Sequence, residues 1–189
     1  MATLRPQLEA IANRHRAVVA ACHERLDRLT DAQLRWAPDD KSWSIVVIAD
    51  HLIKVHAATS QAFMRVLQPA PMLGEEAEKE VPYTYFDRQF VQMLSPGARF
   101  KISVPKPYEP VEHTGPAPAV VNRLYEEFEA FAVILDYADQ KQLKRIKVVV
   151  PGRSSRHGIV SYLDSVVQHD RYHWLQIEAI LRNRNFPKE

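Results

Sequence analysis

The sequence is poor in several residues that common chemistries depend on. It has one cysteine, Cys22, in 189 residues. No disulfide can form within the chain, and a reducing compartment is expected. It has five glycines, and none of GxGxxG, GxxxxGKS, GxxxxGKT or GxSxG occurs, so a Gly-rich phosphate cradle and a nucleophile elbow are both unsupported. No apolar run approaches the ~20 residues of a membrane span. The opening residues Met-Ala-Thr-Leu-Arg-Pro carry no apolar leader core, and a cytoplasmic location is expected. Neither sign of charge is in excess: Lys plus Arg is 25 and Asp plus Glu is 23, a net of +2. That balance argues against a nucleic-acid or membrane partner. No internal repeat is visible.

What is present suits one globular unit over 1–189. The chain is 46% hydrophobic, enough to bury a sizeable core. Nine of its thirteen prolines fall between Pro69 and Pro118, which marks 69–117 as a long irregular connection. Loops of that length in compact domains are often functional.

Four segments carry apolar residues at three- and four-residue spacing and predict helices near 3–29, 44–67, 118–141 and 161–184. Leu4, Leu8, Ile11, His15, Val18, Cys22, Leu26 and Leu29 mark the first, and Thr30-Asp31 then reads as a turn. In the second, Ser44 is the expected N-cap, and Ile48, His51, Leu52, Val55, Ala58 and Ala62 form the stripe. Val121, Leu124, Phe128, Phe131, Leu135 and Ala138 line the third, with Pro118 in its first turn. The fourth has Ser161 and Asp164 as a variant capping box, with Val166, His169, His173, Ile177 and Ile180 inward. Tyr83–Leu94 could hold a short helix, while Phe100–Val104 and Arg145–Val150 read as extended. The expected fold is all-α, a four-helix bundle with a long Pro-rich crossover between its second and third helices.

Eight histidines are the conspicuous excess. His169 and His173 stand four apart, one helical turn, and share the inward face. They can offer two nitrogens to one cation. Such a pair alone is more often incidental than ligating, but His51 lies on the apolar stripe of another helix. Three imidazoles with a fourth position open make a catalytic type of metal site. His15 also sits on an apolar stripe and reads as a hydrogen-bonded core residue. His56 is about 140° round the helix from His51, which turns it away. His23 reads as surface, and His113 and His157 fall in loops that could overhang a site. Gln176, three residues past His173, could orient a ligand or touch substrate. Asp170 sits where a zinc protease has its catalytic Glu but is one methylene shorter, and no third protease ligand follows; like Gln176, it could support a ligand or touch substrate. Ser154, Ser155 and Cys22 have no local base to activate them.

Trp43-Ser44-Ile45, Asp50-His51-Leu52 and His169-Asp170-Arg171-Tyr172-His173-Trp174-Leu175-Gln176-Ile177, with Val104-Pro105 in the crossover, together resemble the DinB/YfiT-like superfamily. The resemblance spans nearly the whole chain. It implies a four-helix bundle holding a divalent metal on His51, His169 and His173, often as a homodimer. It also implies a small-molecule substrate, taken by either a thiol S-transferase using a low-molecular-weight thiol or a metal-dependent hydrolase. Zinc or nickel is the expected cofactor, with manganese or iron as alternatives, because three imidazoles suit them all. No Glu or Asp lies on the metal-facing stripes of the second and fourth helices, which favours thiol transfer on a small electrophile over hydrolysis, with Asp170 the point against. A non-enzymatic metal-binding bundle is the third reading.

Overall fold

The computed structural model describes residues 5–74, 80–98 and 103–188. Its elements in chain order are α1 (Pro6–Leu26), α2 (Asp31–Arg35), α3 (Ile45–Leu67), α4 (Tyr85–Leu94), a 3₁₀ turn (Lys106–Tyr108), α5 (Ala117–Asp139), β1 (Lys147–Val149), β2 (Arg156–Gly158) and α6 (Ile159–Leu181). The four long helices α1, α3, α5 and α6 form the bundle. α3 lies along α5, and α4 packs on α6. No described helix is long and apolar enough to cross a membrane.

Most helix starts follow from local chemistry. α1 opens with Pro6, whose missing N–H costs nothing in a first turn. Its predicted start at residue 3 lies outside the described residues. Ser44 caps α3 by accepting from the Val47 N–H. The turn expected at Thr30-Asp31 is instead the start of α2, because Thr30 and Gln33 satisfy each other's backbone N–H groups in a capping box. Thr84 and Asp87 do the same for α4, so the 69–117 stretch is not wholly irregular. The extended piece expected at 100–104 falls largely outside the described residues, and 103–104 have no regular structure.

The capping box expected at Ser161 and Asp164 does not form. α6 begins earlier, directly from β2, with Gly158 at its N-cap. The hairpin pairs Lys147 with Gly158 and Val149 with Arg156, and the Asp87 carboxylate accepts the Gly158 N–H at 3.0 Å. The chain is therefore already fixed where the helix starts. Ser161 donates its hydroxyl to the Gly158 carbonyl, and Asp164 pairs instead with Arg14 and Tyr83. Of the 145–150 stretch expected to be extended, Lys147–Val149 is strand. The hairpin turn uses Gly152 at φ +76°, a conformation that disfavours side chains. A side chain there would come up against the Pro105 and Tyr108 side chains of the crossover.

Two apolar clusters fill the bundle. One is built around Phe63, Phe131 and Leu163, the other around Ile48, Leu52, Leu124 and Ile177. Between them lies a layer of buried polar residues. His15 and His56 meet the ring edges of both Phe128 and Phe131, which belong to different clusters. The second predicted stripe therefore needs correction. Past Leu52 the buried face of α3 runs His56, Thr59, Phe63 and Leu67, whereas Ala58 and Ala62 are half-buried.

A candidate metal centre in the bundle

α3 delivers His51 and α6 delivers His169 and His173 to one point. His51 Nε2 lies 3.4 Å from His169 Nε2, and His173 Nε2 lies 3.1 Å from the same atom. All three potential ligand atoms fall within 4.8 Å of one another. The outer nitrogens of two of the rings fix their tautomers, while His169 Nδ1 is buried without a hydrogen-bond partner. His51 Nδ1–H donates to the Tyr108 carbonyl at 2.8 Å, and His173 Nδ1–H donates to Gln176 Oε1 at 2.7 Å. A carbonyl oxygen can only accept, so both protons sit on Nδ1 and both Nε2 atoms turn lone pairs inward.

His169 Nε2 carries at most one proton and cannot satisfy two facing lone pairs. A cation can, because it accepts all three. The donor set therefore fits a divalent metal with an open position. Burial keeps the rings neutral and ready to ligate. It lowers the pKa of His51, lowers that of His169 well below the usual imidazole value, and, with His51 nearby, brings His173 down to about 3. Trp43 covers the group, stacked on His173 at 6.0 Å and tilted on His51 at 5.2 Å between centroids.

The three imidazoles face a cavity of about 620 Å³, within the range of small-molecule sites. Its wall is mostly apolar and draws on α3, α4, α6, the crossover and the hairpin. No Asp or Glu is among its described lining residues.

The other singled-out residues separate clearly. Gln176 orients His173 and also lines the cavity. Asp170 does not line the cavity, which removes it as a substrate contact. It is 0% exposed and accepts from His56 Nε2 at 2.9 Å, with His56 equally buried. His56 turns away from the histidine cluster and the cavity, as its spacing from His51 predicts, and is buried against α6 instead of reaching solvent. His15 is a core residue bonded to the Phe128 carbonyl at 3.0 Å. His23 pairs with Asp27 at the surface. His157 stacks on Phe90 and bonds Asp87, tying the hairpin to α4. His113 bonds Asp50 Oδ1 at 2.7 Å.

Asp50 is a contributor the sequence reading missed. Its other oxygen accepts from the Val111 N–H and the Lys54 ammonium, both at 2.8 Å. Burial opposes its charge, but bonds from Lys54, Val111 and His113 hold its carboxyl below the usual range. One residue from His51, it clamps the crossover segment whose Tyr108 carbonyl fixes the His51 ring. Asp50→Ala is expected to weaken metal binding about tenfold, the lower end for partners that orient ligands. Competition against a chromophoric chelator measures this, and an unchanged affinity would refute the clamp.

Cys22 is 2% exposed, and burial, with the charges of Asp170 and Asp27, pushes its thiol pKa up to about 12. It is therefore protonated and shielded at neutral pH. A disulfide reagent should label it at least ~100-fold more slowly in the folded protein than in urea. Comparable rates would show that the thiol is accessible.

A four-helix bundle that converges three neutral imidazoles from two helices on an open cavity belongs to the class of bundle proteins with a candidate metal site in their core. The family follows from the sequence match: the model of the DinB superfamily covers residues 14–177, and the chain belongs to that superfamily. Among solved structures, it is similar to YfiT from Bacillus subtilis, described as a probable metal-dependent hydrolase with an unusual four-helix bundle topology. The TM-score is 0.62 at 15% identity, over 98% of this chain and 92% of that one. At that identity the likeness bears on the fold. No curated protein matches the sequence significantly.

Proposed function

We propose that this protein is a metal-dependent enzyme that joins the sulfur of a small thiol to an electrophilic carbon, displacing that carbon's leaving group and releasing the thiol proton to solvent. His51, His169 and His173 would hold a divalent cation through their Nε2 atoms. When bound, that cation supplies Lewis acidity and favours the deprotonated form of a thiol or a water brought to it. The chain's own residues do the rest. Tyr108 and Gln176 fix the ring tautomers, Trp43 shields the ligand rings, and the apolar wall excludes water from the reacting pair.

The observation that carries thiol transfer is the lack of a carboxylate among the described residues lining the cavity. Hydrolysis gains from a general base close to its water, whereas a thiol made acidic by a nearby cation would release its proton to solvent and would need no base beside it. Cys22, buried and protonated, supplies no competing nucleophile, so the thiol comes from outside the chain. Hydrolysis is the second reading, favoured by the description of YfiT.

The test is to load the purified protein with zinc or nickel and supply glutathione or cysteine with monobromobimane as electrophile. S-conjugate formation above the uncatalysed rate, absent after chelation and in His51→Ala, supports transfer. Metal-dependent cleavage of activated esters without any thiol dependence would replace it with hydrolysis.

A further inference from the structure

The charge of the cavity indicates what kind of molecule it receives. Lys41 and Arg153 are the cationic side chains among its described lining residues, and both are exposed. Neither is paired with a carboxylate among the described residues. Of the two acids just before Lys41, Asp39 is turned into its own bend, where it accepts the Lys41 N–H at 2.9 Å and bonds Ser42, and the adjacent Asp40 is exposed and outside the described cavity lining.

Each cation is connected to the histidine end through its chain neighbours. Lys41 lies two residues before Trp43, which packs on His51 and His173. Arg153 follows Gly152, where an added Cβ would lie 3.8 Å from the Tyr108 ring, and Tyr108 holds His51 through its carbonyl. Beyond them the wall is apolar, with Phe90, Met93, Val104 and Pro105 on one side. A site with positive groups and no negative ones concentrates anions and repels cations. The chain as a whole is close to neutral, at +2, so the bias belongs to the cavity rather than the surface at large.

We propose that the cavity selects amphipathic anions: molecules with an apolar body for the wall and a carboxylate, phosphate or sulfonate drawn to the positive charge of Lys41 and Arg153. This rests on reading the cavity as the substrate site of a metal-dependent enzyme. It adds that at least one of the two reactants is an anion. The cations act by binding and orienting; they take no part in bond making.

Three probes of one chain length test it: octane-1-sulfonate, 1-octanol and octylammonium, titrated calorimetrically into zinc-loaded protein. Sulfonate is chosen because it is a poor metal ligand. It should bind at least about tenfold more tightly than the alcohol, with the ammonium weakest. The preference should fall to about twofold or less in the Lys41→Gln, Arg153→Gln double variant, and should shrink between about 20 and 300 mM salt. Both side chains are exposed, so the variant should keep its fold and metal content, checked by circular dichroism and elemental analysis.

Equal binding of sulfonate and alcohol, a preference that survives the double variant, or no binding of any probe overturns the proposal. The same titrations on His169→Ala keep the two readings apart. Wild-type protein that takes up no metal but still prefers the sulfonate through Lys41 and Arg153 would sink the metal reading alone.

Discussion

His169→Ala is expected to abolish stoichiometric binding of divalent metal. His169 Nε2 is the atom that both other ligand nitrogens approach, at 3.1 and 3.4 Å. Without it the remaining pair, His51 and His173, comes from two different helices with no nitrogen between them. Losing a partner that merely orients a ligand already costs 10–100-fold, so losing the central ligand should cost ~100-fold or more. Elemental analysis of wild type beside His51→Ala, His169→Ala and His173→Ala decides the matter. Equal metal in all four would mean that the cation, if any, sits elsewhere.

Asp170→Ala should be the most destabilising single change at the polar layer. It leaves His56 buried without the carboxylate that accepts its Nε2–H at 2.9 Å. Breaking a fully buried pair by removing one partner typically costs about 3–5 kcal/mol. For a chain of this size each kcal/mol lowers the melting temperature by about 2–4 °C, so a fall of roughly 6–20 °C is expected. His56→Ala should cost a similar amount, and the double variant much less than the sum, because one interaction is being removed twice. Urea unfolding of the four proteins measures the coupling. A loss under ~1 kcal/mol for Asp170→Ala would show that the pair contributes little to holding α3 against α6.

The fold was largely legible because apolar spacing reports which face of a helix is buried. α5 is the clearest case: every residue of its predicted stripe, from Val121 to Ala138, is buried. The errors arose where a buried position is polar. His56 and Thr59 continue the buried face of α3 at spacings of four and three, yet neither registers as apolar, so the stripe was drawn through Ala58 and Ala62. At the site, His51, His169 and His173 could be singled out because periodicity assigns a face within a helix. Asp50, Tyr108 and Lys41 could not. Their roles depend on how the crossover folds back, and Tyr108 acts through its carbonyl, which every residue has. Asp170 had the opposite problem, since its place in the HxxxH motif suggested chemistry that its burial against His56 rules out.

The contacts that build the centre are distant in sequence: 118 residues separate His51 from His169, 57 separate it from Tyr108, and 63 separate Asp50 from His113. An unfolded chain has no means of presenting these groups together, so a cation held by them binds the folded state almost exclusively. Folding and metal uptake are then one linked equilibrium, in which free metal at a hundred times its dissociation constant adds about 2.7 kcal/mol to stability. A metal held by the three imidazoles would thus tie the thermal midpoint of the whole bundle to the concentration of free metal around it.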